Sequence, residues 1–391
     1  MVKFFFFFSF FIVFYSYIGY GIIIYVLVKI KKLVSNQHRI RPVSDFEPEV
    51  TLVVAAFNEA GFIERKLANS MDLEYPAGKL KWIFVTDGST DTTPEIVRTY
   101  NNVLLLHQPE RLGKVAAVNR AMKYVETPYV IFSDANTLLN PKAVKELLKH
   151  YEDPLVGGVA GEKKIIADRK DKAAGAGEGI YWKYESLLKK LDSEFYSVVG
   201  AAGELFSVKT SLFHNAGEDT IIEDFVQSLQ ICIDGYVIRY EPKAFATETA
   251  SVSVHEEQKR KVRIAAGAFQ AMFILKGLFN IFKYPVLSFQ FISHRILRWT
   301  LCPVCLVIFF ISDAWLVYRG EWGFYAWVLL IQTVFYALAI AGWLLAGQNV
   351  KIKAFYIPYY FLFMNMSVFL GFSRFIRNKQ SSVWDKAVRN S

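Results

Sequence analysis

Tyr129-Val130-Ile131-Phe132-Ser133-Asp134-Ala135-Asn136 is the stretch on which the fold turns. A short apolar run ending in an acid reads as a buried strand that carries a charge at its C-terminal end. A second run has the same form, Ile83-Phe84-Val85-Thr86-Asp87-Gly88. Carboxylates at the mouths of two such strands belong in the crevice at the C-terminal edge of an α/β sheet. Facing one another there, they can hold a divalent cation and, through it, a diphosphate.

Outward from these runs, strands alternate with helices. Val50–Ala56 is a β-rich run ending in Phe57-Asn58-Glu59, and Glu59 to Ser70 has helical spacing at Phe62, Ile63 and Leu67. Leu80–Val85 is a second strand, closed by the polar loop Thr86–Pro94, which leads into a helix with Pro near its first turn. Val103–His107 and Pro128–Phe132 are the third and fourth strands, with the helix Lys114–Tyr124 between them. This alternation predicts a doubly wound, mostly parallel sheet, with ligands at the ends carrying Asn58, Asp87 and Asp134. The second half is less regular. Gly157 to Gly179, rich in Gly, Ala and Lys, is read as a mobile segment over the site. Gly200-Ala201-Ala202-Gly203-Glu204 is a turn where backbone can approach a ligand, and Glu223-Asp224 opens an amphipathic helix.

Both flanks are apolar. The chain of 391 residues is 53% hydrophobic, and the excess over a soluble domain is concentrated at its ends. Phe4 to Val28 carries no charge and is long enough to cross about 30 Å of hydrocarbon. Lys29, Lys31, Lys32, Arg39 and Arg41 follow, which places that side in the cytoplasm. A cleaved signal peptide is the competing reading, but the charges follow the apolar run and no small-x-small site closes it. Leu301–Val317, Phe324–Leu345 and Phe355–Phe375 are further membrane candidates, and Phe279 to Trp299 suits helices lying in the interface. The expected organisation is an anchor over 1–30, a basic linker over 31–47, a catalytic domain over 48–265, interfacial helices over 266–299, membrane segments over 300–376 and a basic tail over 377–391. One span before the domain and three after it would leave the tail outside. Arg374, Arg377, Lys379, Lys386 and Arg389 argue for inside, so either one C-terminal segment is re-entrant or the tail breaks the rule, and a cytosolic tail is the expectation.

The net charge of +9 is accounted for by membrane-flanking Lys and Arg facing anionic lipid, and no nucleic-acid motif is present. Cys232, Cys302 and Cys305 make no disulfide framework, and Cys302-Pro-Val-Cys305 reads as helix packing. Taken singly, the polar motifs have structural readings. Asp87-Gly88-Ser89 is a turn, Asp134 a helix cap, Glu223-Asp224 a complement to a helix dipole, and the basic residues from Arg260 to Arg263 a lipid-facing patch. Their co-occurrence at strand ends of one domain favours a site.

Ala56-Phe57-Asn58-Glu59, Asp87-Gly88-Ser89-Thr90-Asp91, Arg111-Leu112-Gly113-Lys114, Ser133-Asp134-Ala135-Asn136 and Glu223-Asp224 occur in that order. The set resembles the markers of the family 2 glycosyltransferases. The membrane layout is similar to the branch of cellulose, hyaluronan and poly-N-acetylglucosamine synthases. The resemblance implies a GT-A catalytic domain in the cell membrane, facing the cytosol. Glu59 and Asp87, with Ala56 and Asn58 beside them, would hold the base and ribose of a nucleotide-sugar, and Lys114 its base or phosphates. Asp134 and Asn136 would bind Mg²⁺ or Mn²⁺ on the diphosphate. Asp224, next to Glu223, would be the general base, and Arg263 would meet the leaving diphosphate.

Two motifs depart from the family. Asn136 replaces the second acid of D-x-D. Arg260 and Ile264 replace the Gln and Trp of Q-x-x-R-W, whose Trp lines the acceptor site of polymerising relatives. Val383-Trp384-Asp385-Lys386 loosely resembles a hyaluronan-synthase tail element and pulls the other way. The expected activity is inverting transfer of one sugar, UDP-linked, to a lipid-linked or glycan acceptor, Arg260 suiting an acceptor phosphate. The alternatives are a processive polysaccharide synthase, with a possible membrane partner subunit, and a silent nucleotide-sugar-binding subunit.

Overall fold

The structure is a computed structural model and describes residues 1–34, 46–166, 174–249, 254–348, 350 and 352–377. Arg39 and Arg41, the middle of the segment read as mobile, and the tail beyond Arg377 with its Val383-Trp384 element lie outside the described residues.

The strands are β1 (Val50–Ala56), β2 (Leu80–Asp87), β3 (Val103–Gln108), β4 (Tyr129–Asp134), β5 (Leu138–Leu139), β6 (Val156–Ile166), β7 (Phe206–Lys209) and β8 (Val237–Thr249). They form one sheet in the order β3-β2-β1-β4-β7-β6-β8-β5. The four strands expected from the sequence are its parallel half, β1 pairing with β2 and β4 and β2 with β3. The chain winds outward from β1 to β3 and then returns to place β4 on the other side of β1. The crevice between β1 and β4 is therefore the switch point of the sheet. Ala55 pairs with Asp134 and Ala56 with Thr86, so these strands end level with one another.

The other half mixes directions. β7 is antiparallel to β4 and β6, while β6 and β8 run parallel. This corrects the reading of Gly157 to Gly179 as a mobile segment. Residues 157–166 are an interior strand, and its glycines answer to crowding. A Cβ at Gly158 would lie 3.0 Å from the Ser207 carbonyl oxygen, and one at Gly161 would lie 2.6 Å from the Leu205 side chain. Small residues here permit close packing within the sheet.

The helices packed on the sheet include α2 (Ile63–Met71), α3 (Thr93–Arg98), α4 (Lys114–Met122), α5 (Ala143–Leu148), α6 (Ala174–Phe195) and α7 (Glu223–Ile233). They cover the sheet on both faces, giving two apolar clusters, one around Val53, Phe206 and Leu229, the other around Leu52, Phe84 and Leu147. α8 (Val254–Ile274) runs through the expected boundary at 265/266. α9 begins at Pro285–Phe291 and continues through a π-helical turn, Ile292–Ile296, to Trp299.

Four helices are long and apolar enough to cross a membrane: α1 (Val2–Val34), α10 (Leu301–Tyr318), α11 (Phe324–Gly347) and α12 (Lys353–Ile376). The phenylalanine run of α1 is mostly exposed, but Phe6 is buried against Phe309 and Tyr325 of α10 and α11. The second half of α1 instead follows the domain, burying Tyr20, Ile24 and Val28 against Leu188 and Leu191 of α6. Lys31 and Lys32, expected only to flank the membrane, close the end of α6. Lys31 donates to the Glu194 and Phe195 carbonyls, and Lys32 pairs with the Glu194 carboxylate at 2.6 Å. Cations on the last carbonyls of a helix complement its dipole. α12 meets the domain near both of its ends, through Tyr360 on Tyr181 of α6 and through Phe375 on Phe269 and Phe273 of α8.

Candidate functional site

Three elements bring charge together at the switch point. β4 delivers Asp134, the first turn of α7 carries Glu223 and Asp224, and α4 begins at Lys114. Lys114 donates to Asp134 Oδ1 at 2.9 Å and lies 3.0 Å from Glu223 Oε1. The Gly200–Glu204 turn closes over this ammonium. A Cβ at Gly203 would stand 2.7 Å from Lys114 Nζ and 3.2 Å from Asp224 Oδ2, so a larger residue would displace this ammonium. Three carboxylates thus share one lysine. Burial works against the Lys114 charge, yet Asp134, Glu223 and Asp224 together hold it well above its ordinary range. Burial first, and then the Glu223 charge, push the Asp224 carboxyl up to about 7 against the pull of Lys114. A carboxylate so placed can exchange a proton near neutrality. Arg263 of α8 donates to the Ile221 carbonyl at 3.5 Å, just before the acidic pair.

A second rank of residues braces these. Asp87 Oδ2 accepts from the backbone N–H groups of Leu112 and Gly113 at 2.9 and 2.6 Å, so the acidic end of β2 fixes the turn that starts α4. Gly88, at φ +67°, lies against Arg111, where a Cβ would come within 2.5 Å. Arg111 in turn stacks on Phe57, 3.7 Å from the ring centre. Asn58, at φ +53°, accepts from the Thr90 N–H at 2.8 Å. The sequence reading missed Lys66 of α2. It is fully buried and donates to Ser133 Oγ at 2.7 Å and the Thr137 carbonyl at 2.9 Å, gripping the chain on either side of Asp134. Burial brings its ammonium down to about 7. The signal was present: Lys66 lies on the same helical face as Ile63 and Leu67, a cation on an apolar stripe.

The acid cluster lies in a cavity of about 1120 Å³ that also reaches residues of α1, α9 and α12. Glu59, Lys114, Asp134, Asn136, Glu223, Asp224, Arg260 and Arg263 border it, as expected from the sequence; Ala56, Asn58 and Asp87 do not. Arg260 is engaged by Glu204 at 3.3 Å and Glu257 at 3.9 Å. Glu204 also takes Lys163 at 2.5 Å, and despite its burial these cations hold its carboxyl well below the usual range. Trp182 stands in the wall between Lys163 and Lys261, their ammonium groups 5.6 and 5.5 Å from its ring centre. Although Ile264 supplies no aromatic face, the cavity receives one from α6.

The donor set suits a hard divalent cation. Asp134, Asn136, Glu223 and Asp224 offer oxygen ligands, and the carboxylates outnumber the one ammonium they share. Among the described residues no three His, Cys, Asp or Glu side chains are grouped to hold a metal unaided. A Mg²⁺-type ion needs only one or two carboxylates when substrate phosphates supply other ligands.

Comparison with known proteins agrees with this geometry. Residues 51–217 match the family model described as glycosyl transferase family 2. The chain is 28% identical over 244 residues to the poly-beta-1,6-N-acetyl-D-glucosamine synthase of Staphylococcus aureus (strain MSSA476), covering 60% of this chain and 57% of that protein. It is 24% identical over 278 residues to the synthase of the same description from Staphylococcus epidermidis, covering 68% and 66%. The chain thus spans little more than half the length of the S. aureus relative. Among solved structures, the mannosyltransferase PcManGT from Pyrobaculum calidifontis superposes with a TM-score of 0.72 over 97% of this chain and 100% of that one. At 21% identity that likeness speaks to the fold alone. The fold, the acid cluster and the family match agree: residues 51–217 match glycosyl transferase family 2 and lie in a domain built on a GT-A-type sheet.

Proposed function

We propose that the protein transfers a sugar, with inversion, from a UDP-linked N-acetylhexosamine to a hydroxyl of a lipid-linked acceptor at the membrane surface. The observation that carries this is Asp224, pushed up to about 7 beside the Asp134 strand end in a cavity that continues to the membrane helices. The acceptor oxygen attacks the anomeric carbon while Asp224 takes its proton. The bond from that carbon to the diphosphate oxygen breaks, and Arg263 faces the departing charge. Asp134 and Asn136 would hold Mg²⁺ or Mn²⁺, which when bound supplies positive charge to the diphosphate. General-base help of this kind is worth ~10²–10⁴-fold. Lys114 keeps the carboxylates together, and Asp87 and Asn58 act behind the wall by fixing the loops that receive the nucleotide.

The N-acetylhexosamine follows from the staphylococcal relatives, which are named for an N-acetylglucosamine polymer. The solved mannosyltransferase is described with GDP-mannose and Mn²⁺, which supports a metal and keeps a second nucleotide in the test. A panel of nucleotide-sugars scored by diphosphate release, with and without EDTA, tests donor and metal together. Turnover undiminished in chelator would remove the metal from the mechanism.

A second reading, synthesis of a polymer, is favoured by those same relatives and by the Trp182 face. Product length on a gel separates the two: a short discrete product supports single addition, and a high-molecular-weight ladder supports a synthase. For placement, we infer that α1, α10 and α11 cross the membrane and that α12 lies along the domain, to which both its ends are fixed. Lys3 pairs with Glu321 at 2.7 Å at the far end of the bundle, opposite the domain. The domain and the tail after α12 then share the cytosolic side, as the basic tail requires. Labelling of single cysteines at Glu321 and Arg377 by an impermeant maleimide should mark opposite faces.

A further inference from the structure

The cavity has a second charged wall, which transfer chemistry leaves unused. At its centre is Glu185 of α6, only 2% exposed. Its carboxylate lies 2.5 Å from Arg298 Nη1, 3.0 Å from Arg295 Nη1 and 3.4 Å from His294 Nε2. One acid therefore faces two arginines and a histidine, the histidine being held on its other side by Asp192 at 2.6 Å. Arg298 serves as a fastening, donating through Nε to the Ser16 carbonyl at 2.9 Å and lying over the rings of Tyr17 and Tyr184, although its Nη2 makes no hydrogen bond among the described residues. Arg295 keeps capacity in reserve. Its Nε donates to the Val199 carbonyl and its Nη1 to Glu185, while Nη2 makes no hydrogen bond among the described residues.

Lys189 follows Glu185 by one turn of α6 and borders the same cavity. It is 6% exposed, yet it makes no hydrogen bond or ion pair among the described residues. The nearby carboxylate of Glu162 is already engaged by Ser186 Oγ at 2.7 Å and by the Tyr240 hydroxyl. Burial lowers the Lys189 ammonium, Glu162 opposes this, and Arg295 adds to it. A cation on the cavity wall with no ion pair of its own among the described residues is placed to receive an anion.

The contacts order the cavity from inside out. The Gly200–Glu204 turn abuts Lys114 and Asp224, its neighbour Val199 holds Arg295, and Arg295 shares Glu185 with Arg298. Arg298 then holds Ser16 of α1. Beyond it the lining is Tyr17, Ile18, Ile357, Phe361 and Met364, contributed by two of the four apolar helices. An acid cluster, a basic wall and an apolar mouth follow in sequence. We propose that Lys189 and Arg295 form a subsite for the phosphate of a lipid-linked acceptor, whose sugar hydroxyl reaches Asp224 and whose tail leaves between α1 and α12. This rests on the transfer reading above and names where that acceptor's phosphate is held.

Lys189→Met tests it, because removing an unpaired buried ammonium preserves the packing. Full-length protein in phosphatidylcholine nanodiscs, without donor or metal, is titrated with farnesyl phosphate, farnesol and inorganic phosphate. Farnesyl phosphate should bind tightest, and Lys189→Met should weaken it by about tenfold. The Tm should stay level or rise, and UDP affinity should be unchanged. Equal farnesyl phosphate affinity in the two proteins overturns the subsite. So does farnesol or inorganic phosphate binding as tightly as farnesyl phosphate, or loss of the binding in phosphatidylglycerol nanodiscs, which would assign the wall to a bulk headgroup. Diphosphate release with a phosphate-free glycan acceptor, measured on the same samples, tests the transfer reading separately.

Discussion

The two ends of the cavity are built on the same plan with the signs reversed. At the sheet, one ammonium, Lys114, sits among Asp134, Glu223 and Asp224. At the helices, one carboxylate, Glu185, sits between Arg295 and Arg298, with His294, itself held by Asp192 at 2.6 Å, on its third side. Each central ion holds its neighbours in place without cancelling them, so one end has an excess of acid and the other an excess of base. The difference lies in what each excess can receive. The acid end is assembled at a strand switch point and suits a cation with its diphosphate. The basic end is assembled from packed helices beside the membrane and suits an anion on a lipid.

The strongest way to break this contrast is to remove the acid. Asp134→Ala, like EDTA, should abolish transfer while circular dichroism shows the fold retained, since a strand-end carboxylate contributes little packing. Persistent turnover would place the cation elsewhere. Asp224→Asn comes next, with kcat falling ~10²–10⁴-fold at unchanged donor affinity. A near-normal rate would move the base to Glu223. At the opposite end, Glu185→Gln should leave activity aside and cost stability. Stranding Arg295 and Arg298 as buried charges is worth about 3–5 kcal/mol, read as a lower denaturation midpoint. An unchanged midpoint would mean that the basic wall needs no central acid, and the parallel between the two ends would fail.

Finer tests sharpen the contrast. With Asp224 in the proposed role of ionised base and its carboxyl pushed up to about 7, kcat/KM should climb with pH below about 7 and level off above it. Lys114→Met removes the cation that pulls Asp224 down, so the limb should move to higher pH. The smallest effect is expected at Arg260, which Glu204 and Glu257 already engage. Arg260→Ala should raise acceptor KM a few-fold with donor KM constant, and a larger loss would return the phosphate to that position.

The acid end was legible in the sequence and the basic end was not, for a physical reason. Asp87, Asp134 and Glu223-Asp224 each close a strand or open a helix, so local pattern gives both the residue and its place at the edge of the sheet. Glu185, Lys189, Arg295 and Arg298 sit inside long helices with no motif, and they meet only because α6 and α9 pack against α1. β6 was missed on similar grounds. Its glycines are there for neighbours such as Ser207 and Leu205 that are distant in sequence, whereas composition alone makes them look loose. Lys66 marks the middle case, visible as a charge on an apolar helical face, with its purpose evident only once Ser133 and Thr137 are beside it.

The docking of α1 along α6 has a consequence for what the enzyme can measure. From Tyr20 to Lys32 the helix lies against the domain for about 18 Å, and the end is clasped by Lys31 and Lys32. The helix that enters the bilayer is thus continuous with a strut of the catalytic domain, and the site stands at a fixed height above the lipid. The lipid-linked acceptor proposed above would need to search only in two dimensions, and its hydroxyl would meet Asp224 only when the glycan between lipid and hydroxyl has the right length. The rigid strut therefore acts as a gauge. Inserting one helical turn after Val34 would leave it untouched, whereas inserting one at Gly19 would change which acceptor length fits.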